Sequence, residues 1–261
     1  MVLTTPRFLR SAAVRALVVL PTYNEAENIA EVLERVRASV PEAHVLVVDD
    51  GSPDGTADLA EEKGRALGEI DVMRRDAKAG LGSAYRAGFA WGLEREFDAL
   101  VEMDSDLSHD PAALPALLGA LEHGADLAIG SRYVPGGSIP EWSWHRRALS
   151  RWGNRYAAGM LGLAVNDATA GFRAYRAGML GRIDLPSVKA EGYTFQIEMT
   201  YEVVIRDGKI VEVPIAFTDR VRGTSKMSSR IVVEALGLVT WWAVRDRLLG
   251  GARRRRRQWR K

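Results

Sequence analysis

Short apolar runs alternate with amphipathic stretches along the first half of the chain. "RALVVL" at 15–20 is a β-rich run. After it, Ile29, Val32, Leu33 and Val36 recur at i, i+3, i+4 and i+7, which defines one apolar helix face. Asn24, with Glu27 three residues on, reads as a capping box opening that helix. "HVLVV" at 44–48 predicts a second strand, and the turn formers "DDGSPDGT" follow it. Next come a helix near 56–67, a short strand near 70–73, and a helix leading from "KAGLGSA" through Trp91. "ALVEM" at 99–103 and "DLAIG" at 126–130 are the fourth and fifth strands, with a helix from Pro111 between them.

Strands alternating with helices imply right-handed crossovers and a mostly parallel α/β sheet flanked by helices. Ligands of such sheets bind beyond the carboxyl ends of the strands. The polar clusters of this chain fall at those ends. "PTYNE" follows the first strand, "DDGS" the second, "DSD" the fourth and "GSRY" the fifth. Four clusters at one edge predict a shared site. There is no internal repeat.

Composition narrows the class. The 261 residues, 47% of them hydrophobic, suffice for one large domain or two small ones. The chain has no cysteine, so it has neither a disulfide framework nor zinc held on thiolates. Residues 1–14 read as a flexible leader without a clean secretory pattern, on a cytoplasmic chain. The net charge of +2 conceals an asymmetry, because residues 252–261 hold seven basic residues and no acidic one. The remainder has 29 basic against 34 acidic residues and is not a nucleic-acid binder. Residues 251–261 are expected to form a disordered basic tail.

No stretch reaches the 18 or so apolar residues of a membrane span. The nearest, "IVVEALGLVTWWAV" at 231–244, contains Glu234 and is flanked by Arg230, Arg245 and Arg247. Trp241 and Trp242 suit a bilayer interface. The expectation is an amphipathic helix over 230–250 on the cytoplasmic membrane surface, near the entrance of the predicted site, with the tail adding salt-sensitive attraction. The alternative is a final helix packed into the core.

"MDSD" ends a buried strand with Asp104 and Asp106 one residue apart. Two carboxylates that close repel unless a cation lies between them. Hard oxygen ligands suit Mg²⁺ or Mn²⁺, which commonly share a substrate's phosphates; a solvated turn is the plainer alternative. Asp49, Asp50 and Asp54 of "VVDDGSPDGT" offer acceptors for the N–H donors of a nucleotide base, or else cap a helix. No Gly-x-Gly-x-x-Gly follows the first strand and no P-loop lysine motif occurs, which excludes the ordinary dinucleotide fold and the P-loop NTPases.

Eight ordered segments carry a resemblance: "LPTYNE", "VVDDGSPDGT", "GLGSAY", "MDSDLSHDP", "GSRY", "DATAGFRAYR", "EGYTFQIEM" and "DRVRGTSK". Together, over about residues 16–235, they resemble the dolichol- or polyprenol-phosphate mannose synthases of glycosyltransferase family 2, which have the GT-A fold. The Ala- and Arg-rich composition resembles the actinobacterial members. The resemblance implies a catalytic domain over 15–229 that transfers mannose from GDP-mannose to a polyprenyl monophosphate with inversion. It also implies a guanosine pocket lined by Pro21, Tyr23, Glu25, Val48 and Asp50. Asp104, Ser105 and Asp106 would reach the ribose, diphosphate and metal, with Asp106 the main metal ligand and Ser108 completing that site. Arg132, Arg220 and Lys226 would face phosphates, and Arg146 would be an acceptor-side arginine, with Arg147 beside it as the alternative register. Asp167 and Arg173 would be mainly structural. Glu191 would orient the donor sugar or cap a helix, and His109 would stand behind the acidic pair or in solvent.

A membrane protein partner is compatible with this reading. The alternatives are a family-2 transferase loading glucose or another sugar onto undecaprenyl phosphate, or a catalytically silent nucleotide-binding subunit. The paired carboxylates and phosphate-facing arginines argue against the silent subunit.

Overall fold

The computed structural model describes residues 14–219 and 229–249. Seven strands form one sheet: β1 (Ala16–Thr22), β2 (His44–Asp49), β3 (Ile70–Arg74), β4 (Ala99–Glu102), β5 (Leu127–Ser131), β6 (Arg173–Arg176) and β7 (Ile210–Pro214). Their spatial order is β3-β2-β1-β4-β6-β5-β7. β6 alone runs against its neighbours, pairing antiparallel with both β4 and β5. All five strands expected from the apolar runs are present, and β6 and β7 are additions.

The helices are α1 (Ile29–Ser39), α2 (Thr56–Leu67), α3 (Leu81–Glu94), α4 (Leu114–Glu122), α5 (Trp144–Leu161), α6 (Ala177–Leu180), α7 (Gly192–Val204) and α8 (Ser229–Leu249). Side chains alternate across each strand, so β1 sends Leu17 and Val19 to one face and Val18 and Leu20 to the other. The first face packs against α3, α5, α7 and α8, and the second against α1, α2 and α4. This burial on both faces explains the continuous apolar runs of the central strands.

Two expectations need correction. The Asn24–Glu27 capping box does not form. Asn24 takes a left-handed φ of 61° in the turn after β1, and its N–H donates to Ser52 Oγ at 3.0 Å. Helix α1 begins at Ile29, with no side-chain cap, and the Ile29 N–H donates to the Glu25 carbonyl at 2.9 Å. The tight turn into the ligand edge overrides the local capping pattern. The final helix is also not uniformly an interface helix. Val239, Trp242 and Ala243 are buried in the core, whereas Trp241 is exposed. Among the described residues, no helix is long and apolar enough to cross a membrane. The leader and the basic tail lie outside the described residues, apart from Val14.

Close approach of α3 to the sheet depends on glycine. A Cβ at Gly92 would lie 2.6 Å from Leu17 Cδ2, and one at Gly88 would collide with Val19 Cγ1. That contact holds the second half of α3 against β1 and β4. Overpacking typically costs about 1–3 kcal/mol. Gly88→Val is therefore expected to lose about that much stability or more, seen as a lower Tm by circular dichroism, while Gly119→Val, open to solvent, should lose less.

Candidate active site

The carboxyl ends of β1, β2, β4 and β5 open onto one cleft of about 500 Å³. The crossover direction of the parallel strands puts their following loops there, as the sequence pattern implied. Pro21, Tyr23, Glu25, Asp50, Asp104, Ser105, Asp106, Ser108, Arg132 and Arg146 all line it. Val48 does not. It is fully buried in the core below the floor, because the residue that reaches the cleft from β2 is Asp50, past the strand's end.

On the β1–β2 side, two neighbours orient Asp50. Arg75 Nη1 donates to Oδ1 at 2.8 Å, and the Ala79 N–H donates to Oδ2 at 3.1 Å. Lys78 Nζ stands 4.0 Å over the Tyr23 ring. Asp49 is engaged in the turn, accepting from Thr22 Oγ1 at 2.8 Å and from Ser52 Oγ at 2.6 Å. Arg75 and Lys78 were not anticipated. They follow β3 in "RRDAK", and the strand-end argument applied to that strand would have found them.

The acidic turn leaves β4 with little freedom. Tyr85 donates its phenol to Asp104 Oδ1 at 3.2 Å. Burial, and then the Asp104 charge, push the Tyr85 pKa well above its ordinary value, so it stays a donor. Ser105 Oγ donates to the Pro21 carbonyl at 2.8 Å, tying β4 to β1. Leu107 adopts a left-handed φ of 64°, which is unfavourable for a bulky residue. The reversed turn lets the Ser108 N–H donate to Asp106 Oδ1 at 3.1 Å. His109 is buried, not solvated. Its Nδ1 accepts the Asp104 N–H at 3.3 Å, and its ring packs on Phe172 and Phe217.

Facing the carboxylates, Arg132 donates through Nε and Nη2 to Asp167, both at 2.7 Å, and through Nη2 to Thr169 Oγ1 at 2.9 Å. Burial disfavours charge on both partners. Their mutual attraction outweighs it, holding the Asp167 pKa below and the Arg132 pKa above the ordinary values. Arg146 lies over Trp142, 3.9 Å from the ring centroid, and donates through Nη1 to Asp219 at 3.1 Å. Arg147 is exposed, so Arg146 is the arginine turned to the cleft. Arg220 and Lys226 lie outside the described residues. Glu191 caps a helix, though not its own. Its Oε2 accepts the Gly82 N–H at the start of α3 at 2.8 Å, and its Oε1 accepts from Arg86 at 2.9 Å.

Beneath this surface Arg173 is fully buried. It donates to the carbonyls of Ala168, Ala170 and Gln196 at 2.7–2.8 Å and to Thr200 Oγ1 at 2.9 Å. Glu102 is its register partner across β4 and β6. Neither Glu102 carboxylate oxygen makes a hydrogen bond of good geometry among the described residues, although the Gln196 and Tyr175 side chains lie close enough to favour its charge. Burial pushes the Glu102 carboxyl up to about 7, opposed by the Arg173 charge.

The donor set fits a divalent cation shared with phosphates. Asp104, Asp106 and the Ser108 hydroxyl offer hard oxygens along one wall. Among the described residues, no group of three or more His, Cys, Asp or Glu side chains could by itself hold a metal. A site of this kind leaves coordination positions for a substrate.

The glycosyl transferase family 2 model matches residues 17–184. The polyprenol monophosphomannose synthase of Mycolicibacterium smegmatis is 52% identical over 235 residues, covering 90% of this chain and 89% of that protein. The undecaprenyl-phosphate mannosyltransferase of Micrococcus luteus is 50% identical, covering 90% and 97%. Among solved structures, glucosyl-3-phosphoglycerate synthase from Mycobacterium tuberculosis with Mn²⁺ and UDP-glucose superposes with a TM-score of 0.64 at 21% identity, covering 87% and 77%. A mannosyltransferase from Pyrobaculum calidifontis with GDP-mannose and Mn²⁺ gives 0.55 at 17%, covering 89% and 72%. These structural likenesses establish the GT-A fold.

Two buried groups make measurable predictions. Asp167→Ala strands the Arg132 charge and is expected to cost about 3–5 kcal/mol, read by urea unfolding. Glu102 binds its proton more tightly folded than unfolded, so its ionisation destabilises the fold as pH rises from about 4.5 through about 7. The penalty at pH 8 is on the order of 3 kcal/mol. Glu102→Gln should be insensitive to this term, so its stability relative to the parent chain should rise between pH 5 and pH 8.

Proposed function

The chain belongs to glycosyltransferase family 2, and on that premise we propose that it transfers mannose from GDP-mannose to a polyprenyl monophosphate, inverting the anomeric carbon. The observation that carries this reading is the meeting of two carboxylates and two guanidinium groups across one cleft, in a chain at least half identical to two polyprenyl-phosphate mannosyltransferases. Asp50, steadied by Arg75 and the Ala79 N–H, suits the ring N–H groups of guanine. Tyr23 beneath Lys78 offers that base a stacking surface.

Asp104, Asp106 and Ser108 would hold a Mg²⁺ or Mn²⁺ ion, which when bound offsets charge developing on the leaving diphosphate. Asp106 is restrained by the Ser108 N–H, so its carboxylate is oriented before substrate arrives. Arg132, oriented by Asp167, and Arg146, oriented by Asp219, present positive charge to the reacting phosphates. Arg220 and Lys226, outside the described residues, are proposed to do the same.

No dedicated base is required. A phosphate monoester has a second pKa near ~6, so the acceptor oxygen is anionic at neutral pH. That oxygen forms a bond to C1 of the sugar as the bond from C1 to the β-phosphate oxygen breaks, and GDP leaves with the electron pair. One displacement gives β-mannosyl phosphate from an α-linked donor. Catalysis is then mainly positioning and charge stabilisation. Because the acceptor is lipid-borne, the enzyme is proposed to work as a peripheral protein on the cytoplasmic face of the membrane.

Incubation with labelled GDP-mannose and polyprenyl phosphate, followed by lipid extraction, tests the reading. Mannosyl lipid should form with added Mg²⁺ or Mn²⁺ and stop with EDTA; label appearing only from another nucleotide sugar would overturn the donor assignment. Asp106→Ala should reduce turnover by at least a factor of about 100. Asp50→Ala should instead raise the KM for the donor by about 10-fold or more, as loss of one charged hydrogen bond allows, with a smaller change in kcat.

A further inference from the structure

We propose that Trp142 is a positioning residue for the phosphate of the acceptor: its indole holds the Arg132 and Arg146 guanidinium groups together on one wall of the cleft, turned to the same anion. The role rests on the transfer to a phosphate monoester proposed above.

Arg132 and Arg146 both line the cleft, and like charges that share a site repel. Their carboxylates do not relate one cation to the other. Asp167 precedes β6 and Asp219 follows β7, and among the described residues each forms an ion pair with one arginine. Trp142 is what the two cations share. The Arg146 Cζ lies 3.9 Å from its ring centroid and the Arg132 Cζ 5.6 Å. A ring face attracts cations, and indole does so most strongly. The ring also reaches a counter-ion. Its Nε1 donates to Asp219 Oδ1 at 2.8 Å, the oxygen that accepts from Arg146 Nη1 at 3.1 Å.

The indole is itself held in place, and only 6% of the residue is exposed. Phe217 meets it edge-on, with centroids 5.8 Å apart, and stands 5.5 Å from the Arg132 Cζ. The Phe217 N–H donates to the Ser138 carbonyl at 3.0 Å, and the Glu141 side chain accepts the Asp219 N–H at 2.6 Å. The chain before Trp142 is thereby fastened to the chain after β7.

Packing alone would be served by any large apolar side chain. This ring instead lines the cleft and spends its one donor on the partner of an arginine. Its effect lies in the donors that remain. Among the described residues, the side-chain hydrogen bonds of Arg132 leave from Nε and Nη2, and those of Arg146 from Nη1. Arg132 Nη1 and Arg146 Nη2 are left for an anion, and a phosphate monoester has oxygens for both. Without the indole, Arg146 would keep its carboxylate but lose the flat surface that sets its plane.

The test uses the full chain, with farnesyl phosphate as acceptor and GDP-mannose with Mg²⁺ as donor. Trp142→Leu should raise the acceptor KM about tenfold, as loss of a desolvated cation–π contact allows, and change the donor KM by less than about threefold. Trp142→Phe keeps a ring face but not the bond to Asp219. It should fold with the parent's Tm and raise the acceptor KM by about threefold. In an Arg146→Gln background, Trp142→Leu should cost much less than in the parent chain, because its partner is gone; a ring that only packs would cost the same in both. Calorimetric titration of farnesyl phosphate into the chain bound to GDP and Mg²⁺ reads acceptor binding apart from turnover. Acceptor affinity and KM unchanged in both Trp142 variants would overturn the proposal, as would equal losses for donor and acceptor or equal costs in the two backgrounds. If the parent chain binds farnesyl phosphate but transfers no mannose, and the variants bind it more weakly, the indole's role stands and the proposed reaction fails. A parent chain that binds no farnesyl phosphate would overturn both.

Discussion

The guanidinium of Arg173 is the contact on which the cleft depends. It sits at the head of the one reversed strand, and its hydrogen bonds run to the carbonyls of Ala168 and Ala170 and into α7. Those carbonyls belong to the segment that carries Asp167 and Thr169 up to Arg132. The same segment continues to Gly171, whose Cα faces the Asp104 carboxylate and His109; a Cβ there would stand 3.6 Å from Asp104 Oδ2. Both walls of the cleft are thus referred to one buried cation. An unpaired cation at this depth would be costly. Backbone carbonyls and the neighbouring Glu102 make it tolerable, and Glu102 in turn titrates near neutrality.

Positive and negative groups line the same cleft, each with partners of its own. Asp104 and Asp106 are held by a phenol and a backbone N–H, while Arg132 and Arg146 are held by Asp167 and Asp219. Each cation has its own anion behind it. A ligand carrying phosphates and a divalent cation supplies complementary charge to both walls at once.

The sheet and the acidic edge were legible because the chemistry follows the pattern. Buried parallel strands must be apolar on both faces, so β1, β2, β4 and β5 announce themselves, and loops at their carboxyl ends carry the polar clusters. What escaped notice departs from that pattern. β6 reads "RAYR" because its inward position is filled by the buried arginine. β7 is only half-buried at the sheet's edge. Helix α5 lacks an apolar stripe of ordinary composition, since its exposed side mixes tryptophan with arginine. Val48 was assigned through the family resemblance rather than the pattern, and its side chain is buried in the core instead of lining the cleft. The family resemblance supplied roles that spacing alone left open, and Arg146, which it favoured over Arg147, is the one that lines the cleft.

The reversed strand has a consequence for how the chain assembles. β6 occupies the middle of the sheet, yet it is synthesised after β5, roughly 70 residues behind β4. Until it arrives, β4 and β5 cannot be bridged, and each presents an open edge in the nascent chain. Such long-range pairing is slow to form, and unpaired edges invite wrong partners. The last strand to enter the interior is also the one bearing Arg173, so filling the middle of the sheet also sets the support of the Arg132 wall. A chain halted before residue 173 carries the β1, β2 and β4 ends of the cleft and none of the bridge that joins them to the Arg132 wall.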